Sequence, residues 1–562
     1  MSPHRTFKIG FRRIFLSISL ICTGLAGFSQ WSNDPKTNLI ISGSSTYNFS
    51  PAISATSTGG SFITWYPRYK GDPSASFKIC YLDARGNFVW FPELLTIRPP
   101  VENLGMVYYR LTTDHSDNAL VGFMDSRLDQ TDITVTKIST SGQFLWGLVG
   151  HTFDLPNSFE AFPEIAVAQD NSVFVVFTSS ISPPGGWQVY SLILQKLDPD
   201  GNEVWGYGGT RISDPVKSLE QPNVIPYPDG GCAVIYYTIE VVTDDVVIRQ
   251  LFINRFDKMG KAVWAQPTML INAERFGLVP AFTARMGKDN LIYIAWSSYK
   301  SIYLQCVHPD GRKAFKDTGL ELCEQYPGIT DQPMTGGEDS NGNIYIFWAG
   351  LNSYNTEVYL KGQAISDQGE LLWGPDGKKI ISSCSLVRMN TKIYNDTLYV
   401  QYCINSSNVT YYKKILINQF NLDGQPLSQP AVINDVSSWK GDVDQSDFVN
   451  NQTVFVWEDG ENPNVIKVQN YYTSGSIGPS ATRNITTIDQ SPNYFFDPSS
   501  NTFTVTGSNE LLNLILYNSL GIKIFETSFS TKYTIPALPT GLYIFTVQTL
   551  HSEILLKGKL ML

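Results

Sequence analysis

Apolar residues in this chain come in short continuous runs rather than in helical stripes. The runs are "SFITW" (61–65), "ALVGF" (119–123), "VFVVF" (173–177), "AVIYY" (233–237), "IYIAW" (292–296), "IYIFW" (344–348), "LYVQY" (398–402) and "TVFVW" (453–457). Each is rich in β-branched and aromatic residues and shows no 3.6-residue period, so each predicts a buried strand. Turn-favouring residues precede nearly all of them, as "TGG", "SDN", "QDN", "DGG", "KDN", "SNGN", "NDT" and "NNQ". Asn, Asp and Gly tolerate the left-handed backbone of hairpin turns, which explains that punctuation. A second pattern follows each run: a turn glycine, then a short strand that usually ends in an aromatic residue. It reads "DARGNFVW" (83–90), "TSGQFLW" (140–146), "DPDGNEVW" (198–205), "DKMGKAVW" (257–264), "PDGRKAF" (309–315) and "SDQGELLW" (366–373).

The turn glycines are Gly86, Gly142, Gly201, Gly260, Gly311, Gly369, Gly424 and Gly475, spaced 51 to 59 residues apart. Six of the eight have an aromatic residue four positions later; "GQPLS" at Gly424 and "GSIGP" at Gly475 do not. Each unit therefore offers four antiparallel strands and no helix, which predicts a β-propeller blade. Eight turn glycines predict eight blades, spanning residues 30–480. The segment "WSNDPKTNLIIS" (31–42) resembles the fourth strand of a blade, as in "WGPDGKKIIS" (373–382), whereas the last repeat runs instead into "PSATRN". Residues 31–42 are thus expected to supply the outer strand of the eighth blade and close the ring, removing a free sheet edge. In this reading the glycine makes the tight turn between third and fourth strands. The aromatic packs on the neighbouring blade, where burial of an indole contributes about 2–3 kcal/mol.

Composition agrees with a turn-rich β protein: 44 Gly, 31 Pro, 13% aromatic and only 16% charged residues, against about 25% charged in typical soluble domains. The net charge of −10 is spread thinly, which argues against electrostatic binding of nucleic acid or anionic lipid. His4, Arg5, Lys8, Arg12 and Arg13 precede an apolar stretch, Ile14 to Leu25, and small residues Gly27 and Ser29 suit cleavage before Gln30. Residues 1–29 therefore read as an export signal, too short to span a bilayer comfortably. No later segment is apolar enough to be transmembrane. Cys80, Cys232, Cys306, Cys323, Cys384 and Cys403 mostly sit in apolar strand-like runs and read as small buried hydrophobes; their spacings select no disulfide pairing. No Cys-x-x-Cys occurs, and His115, His151, His308 and His551 are too scattered to signal zinc.

After a linker at 481–491 the character changes. "SPNYFFDPSSNTFTV", "LNLILYNSLGIKIFE", "YTIPALPTGLYIFTVQ" and "ILLKGKLML" alternate as strands without the blade repeat, predicting a small Ig-like β-sandwich over 492–562. "LYNSLGIKI" (516–524), "LPTGLYIFTV" (538–547) and the basic closing strand with Lys557 and Lys559 resemble the type A C-terminal sorting domain of the Bacteroidetes type IX secretion system. Gly521, Gly541, Tyr543 and Lys557 match that family's motif, while Asp497-Pro498 stands where Asn-Pro is usual. The resemblance implies that the type IX machinery is a partner. It also implies transport across the outer membrane, then release or attachment at the cell surface.

No motif assigns a reaction to the repeats. Asp-x-x-Gly-x-x-x-Trp, with Asp83, Asp198 and Asp257 in register, resembles the tryptophan-docking motif of eight-bladed quinoprotein dehydrogenases, a blade-packing device that holds no cofactor. The adjacent Cys-Cys pair those enzymes commonly carry is missing from this sequence. "SDQGELLW" has the wrong Ser–Asp offset for a sialidase box, and no Gly-x-Ser-x-Gly, His-Glu-x-x-His or P-loop occurs. The acids of "FMDSRLDQTD" (123–132) and "WEDGENPN" (457–464) lack calcium-loop spacing and read as solvated loops. Trp187, in "SSISPPGGWQVY" (179–190), reads as packing on its own blade, with stacking on a sugar as the alternative. The sequence thus nominates no catalytic, cofactor-binding or metal residue. Two function classes stay open: a non-catalytic binding propeller recognising a glycan, peptide or matrix component, and a secreted polysaccharide hydrolase or lyase.

Overall fold

The computed structural model describes residues 31–43, 46–69, 75–90, 93–101, 108–125, 131–181, 189–243, 246–275, 281–298, 301–323, 333–351, 358–383, 386–405, 412–460, 464–479, 493–497, 502–506, 511–518, 523–530, 532–536, 538, 542–549 and 554–561. Apart from one 3-10 turn, Lys288–Asn290, every element is a strand. The chain divides into two compact units, one ending at Ser480 and one beginning at Ala481.

Eight four-stranded antiparallel sheets make up the described part of the first unit. In sheet one, Thr46–Ala55, Ser61–Tyr69, Ala75–Leu82 and Leu95–Val101 follow one another in order. Sheets two to seven repeat this meander, their first strands being Tyr109–Thr113, Phe159–Val167, Ser218–Pro226, Phe282–Met286, Met334–Glu338 and Leu386–Tyr394. Sheet eight takes Lys440–Gln445, Gln452–Asp459 and Val465–Tyr472, and its outer strand is Leu39–Ile40, paired with Val468 and Lys467. All eight apolar runs quoted above fall in second strands, buried on both faces between neighbouring sheets.

Each apolar cluster of this unit joins two consecutive sheets. Phe62, Phe77 and Tyr66 of sheet one meet Val121 and Phe123 of sheet two; Tyr399 and Ile415 of sheet seven meet Phe455 and Trp457 of sheet eight. The cluster of Ile53, Ile63 and Trp65 with Val454, Val456 and Ile466 joins sheet eight back to sheet one. The sheets therefore pack in a circle, as a β-propeller does. First strands of most neighbouring sheets lie alongside one another, which puts them on the inner side of the circle. Several of them slip register by a bulge just where a proline falls: Ser50, Phe162 and Gln221 take positive φ immediately before Pro51, Pro163 and Pro222. A bulge re-aims side chains and leaves backbone groups for other partners.

All eight turn glycines have positive φ, between 72° and 91°, and turn the third strand into the fourth. Most of them also serve as seats. A Cβ on Gly86, Gly201 or Gly260 would come within 2.8, 2.7 and 2.7 Å of the indole of Trp31, Trp146 and Trp205 respectively. Each indole comes from the segment that leads into the fourth strand of the preceding sheet. Its Nε1 donates to the carbonyl two residues before the glycine, as in Trp90 to Thr140 (2.8 Å), Trp146 to Pro199 (3.0 Å), Trp205 to Lys258 (2.9 Å) and Trp264 to Pro309 (3.0 Å). The aspartate of the motif caps the same turn: Asp198 Oδ1 accepts the amides of Asp200 and Asn202.

The second unit holds two sheets. Asn493–Asp497, Thr502–Thr506 and Lys532–Thr534 form one; Leu512–Asn518 lies between Lys523–Phe529 and Leu542–Thr549 in the other, which Ile554–Met561 extends. Leu512, Leu514, Leu516, Phe529, Ile535, Phe545 and Val547 form its core.

Candidate functional site

Because each sheet is a simple meander, the connections between second and third strands and those between sheets emerge at one end of the first unit. Two clusters of charged side chains lie at that end, and both contain acids expected in solvated loops. The structure corrects that expectation for the acids it describes. Asp125 and Asp132 are strand residues, 2% exposed, and Glu458 and Asp459 close the second strand of sheet eight at 5% and 6%. The groups that meet them come from other strands, Arg98 at Asp125, Ser50 at Glu458 and Lys440 at Asp459, which no local pattern in the sequence encodes. Residues 126–130 and 461–463, and Trp187, lie outside the described residues.

The first cluster joins sheets one to three. Asp125 pairs directly with Asp132 across the strands, and the carbonyl of Thr131 accepts the amide of Glu160 at 2.9 Å. Glu160 is fully buried, and neither of its carboxylate oxygens has a well-formed hydrogen bond among the described residues. Burial pushes its carboxyl up to about 7; Asp132 and Asp154 add to the shift, while Ser158 and Arg211 oppose it. Arg98, 1% exposed, donates from Nη1 to the carbonyl of Met124 (3.2 Å) and stands 3.8 Å from Asp125, whose carboxylate accepts the Thr134 hydroxyl. Nearer the axis, Arg110 holds Glu164 through Nε at 2.9 and 2.8 Å, and the Tyr108 hydroxyl donates to the same carboxylate at 2.7 Å.

The second cluster lies where sheet eight meets sheets seven and one. Asp459 is its hub, held by Lys440 at 2.9 Å, Lys467 at 3.2 Å, Trp457 Nε1 at 3.0 Å and the Ser438 hydroxyl at 2.8 Å. Desolvation raises the Asp459 carboxyl, yet the two lysines and the indole together hold it below the usual range; burial lowers Lys440. The bulge in sheet one supplies the matching donors. Ser50 N bonds Glu458 Oε1 at 2.8 Å, and Ile53 N bonds Asp444 Oδ2 at 3.2 Å. Asn48 and Asn464 bond reciprocally: Asn48 N donates to Asn464 Oδ1 at 2.6 Å, and Asn464 Nδ2 donates to the Asn48 carbonyl.

Chemically, Glu160 is poised to exchange a proton near neutrality, but from beneath the surface. No group of three metal-ligating side chains occurs among the described residues. Cys80, Cys232, Cys306, Cys323 and Cys403 are buried, and Cys384 lies outside the described residues. Of the residues matched to the sorting motif, Gly521 and Gly541 also lie outside. Tyr543 is buried at 7% and faces Leu560 in register, and the backbone of Lys557 pairs with Thr546. Sequence reasoning missed both charged clusters. The one available signal was the proline in the first strands, which marks the bulges.

No protein-family model matches the chain, and no curated protein does. Solved structures with likeness to it include the polysaccharide lyase Uly1 (11% identity, 75% of this chain and 89% of that one, TM-score 0.36). Others are the β-propeller domain of the Trilobed protease from Pyrococcus furiosus (10%, 65% and 95%, TM-score 0.33) and the α-L-arabinanase of Penicillium chrysogenum (13%, 58% and 96%, TM-score 0.33). At those identities and scores the likenesses carry no statement about activity. The circular architecture rests on this chain's own sheet order and packing. No described helix is long and apolar enough to cross a membrane.

Proposed function

We propose that the first unit is a single eight-bladed ring closed by residues 31–42, and that it is a non-catalytic binding module presenting its inter-strand loops to an extracellular glycan or protein. The observation that carries this reading is how the charged groups at the loop-bearing end are used. Glu458 and Asp444 hold backbone amides of sheet one, Asp459 holds two lysines of its own sheet, and Glu160 is sealed. Acids occupied in joining blades make a rigid frame and leave recognition to the loops. The second unit acts as an Ig-like type IX sorting signal, delivering the ring to the cell surface after removal of residues 1–29. Cleavage before Gln30 would leave Trp31 available for its seat on Gly86.

A second reading, a polysaccharide hydrolase or lyase, is favoured by one observation: a carboxyl held near 7 with two further acids beside it. A melting scan of the full chain against a polysaccharide panel separates the two. A ligand at a hundredfold excess over Kd stabilises by about 2.7 kcal/mol. A shift without product supports the binder; product that disappears in Glu160→Gln establishes the enzyme. For the address, a chain ending at residue 491, expressed in a type IX-secreting host, is expected to stay inside the outer membrane. Its arrival at the surface would remove the sorting reading.

A further inference from the structure

Residues 31–42 touch three sheets. On sheet one, the Trp31 indole lies over Gly86 and its Nε1 donates to the Ala84 carbonyl at 3.0 Å. On sheet eight, Leu39 and Ile40 pair with Val468 and Lys467, Ile41 N bonds the Ile466 carbonyl at 3.0 Å, and Gln469 Nε2 donates to the Ser32 carbonyl at 2.6 Å. On sheet seven, Asn38 Nδ2 donates to the Ile433 carbonyl at 2.9 Å, and Asp435 N bonds the Pro35 carbonyl at 3.0 Å.

The positions of these contacts match what the seams on either side of sheet eight lack. From sheet one to sheet seven, an aromatic of one sheet stands over or beside the turn glycine of the next. Gly424 has no aromatic four residues on, and nothing among the described residues lies within 4 Å of a Cβ built on Gly475. The seam between sheets seven and eight therefore has no aromatic over its turn glycine, although Tyr394 and Tyr399 meet Phe448 elsewhere in it, and Asn38 and Pro35 bridge there as well. The seam between eight and one has a staple only because Trp31 supplies it. One twelve-residue segment thus secures sheet eight on both flanks, joined to the rest of sheet one through residues 43–45.

We propose that residues 31–42 are a removable lock on sheet eight, so that their release loosens both of its seams together and opens the ring there. The inference rests on the closed-ring reading above. The chain must hold this segment undocked until residues 433–478 have been delivered, nearly four hundred residues later, so the ring stays open through most of its export and closes last.

The test uses the full chain with a protease site placed in the 43–45 segment, with and without Trp31→Ala. Hydrogen exchange is read at three amides that do not bond the lock. Asn451, which faces Tyr394 Oη across seams seven and eight, is one; Ser50 and Ile53, which face Glu458 and Asp444 across eight and one, are the others. After cutting, the Trp31→Ala chain is expected to lose the fragment and to exchange at least tenfold faster at all three. A synthetic peptide of residues 31–42 should slow them again. If the fragment leaves and any one seam keeps its protection, or if the peptide restores nothing, the lock is wrong. Images of the intact protein lacking a closed ring would instead remove the reading on which it rests.

Discussion

The seats can be tested by comparing two glycines that share a backbone conformation but not a neighbour. Gly201 has φ 91° and Gly475 has φ 90°, and both sit in the same third-to-fourth-strand turn of their sheets. Alanine at either position takes on the left-handed penalty of about 1–2 kcal/mol. At Gly475 nothing within 4 Å adds to it. At Gly201 the new methyl would sit 2.7, 2.8 and 3.0 Å from ring atoms of Trp146, closer than carbon atoms approach. The obstacle on the far side is a rigid indole, so the indole must leave. It then loses its bond to the Pro199 carbonyl, worth about 1 kcal/mol, and part of a burial worth about 2–3 kcal/mol when complete. Gly201→Ala is therefore expected to cost about 2 kcal/mol more than Gly475→Ala. Urea unfolding followed by tryptophan fluorescence and by far-UV circular dichroism measures the difference, the two probes also checking for intermediates in a repeat protein. Equal losses would mean that the glycine is kept for its φ alone and that the indole adapts, which would refute the seat.

Other perturbations address the charged clusters. Asp459→Asn leaves Lys440, fully buried, and Lys467 beside a neutral amide; removing one partner of a buried set typically costs about 3–5 kcal/mol, read as a lower urea midpoint. Glu160 titrates near 7 in the folded chain against an ordinary 4.5, so the folded state binds the extra proton between those values. Its contribution is present below about pH 4.5, falls as pH rises to about 7, and totals about 3 kcal/mol; Glu160→Gln should flatten that limb in denaturation series from pH 4 to 8. Asp114 behaves oppositely: Asn118 and Lys137 hold its carboxyl below the usual range despite burial. Its stabilisation is present above the ordinary aspartate range and is lost as pH falls, so Asp114→Asn should be less stable at neutral pH yet show a shallower acid limb.

Much of the architecture is legible because it is written locally. A second strand buried on both faces must be apolar throughout, and a left-handed turn must carry Gly, so "VFVVF" and Gly201 announce themselves from neighbouring residues alone. Even Trp31 is legible, since "WSNDPKTNLIIS" repeats the fourth-strand grammar without a repeat to belong to. What stays hidden depends on partners in another strand or another sheet. Nothing around "SFEAFPEIAV" (158–167) says that Glu160 will lie under sheet two, because its burial comes from residues near 131. Asp459 reads as a loop acid until Lys440 and Lys467, from flanking strands of the same sheet, close on it. The glycine's second use is hidden for the same reason: the indole over Gly201 comes from Trp146, fifty-five residues earlier.

The ring is therefore joined in two chemically different ways. Where an indole sits on a glycine, the seam is held largely by apolar burial, which is insensitive to salt and pH. Around sheet eight the seams rely more on carboxylates, amides and a lysine: Glu458 with Ser50, Asn464 with Asn48, Asp447 with Lys392. Charge-assisted bonds are stronger individually but require their partners to be in register and suitably protonated. Sheet eight should consequently be the first to open as pH falls, because protonating Asp447 frees Lys392 across the seam and protonating Asp459 releases two cations within the sheet. Hydrogen exchange at pH 4 and pH 7 would then show Gln452–Asp459 losing protection before Val173–Ile181, whose seams hold Trp146 and Trp205. Uniform loss across the eight sheets would mean that the indole seats and the polar seams are energetically equivalent.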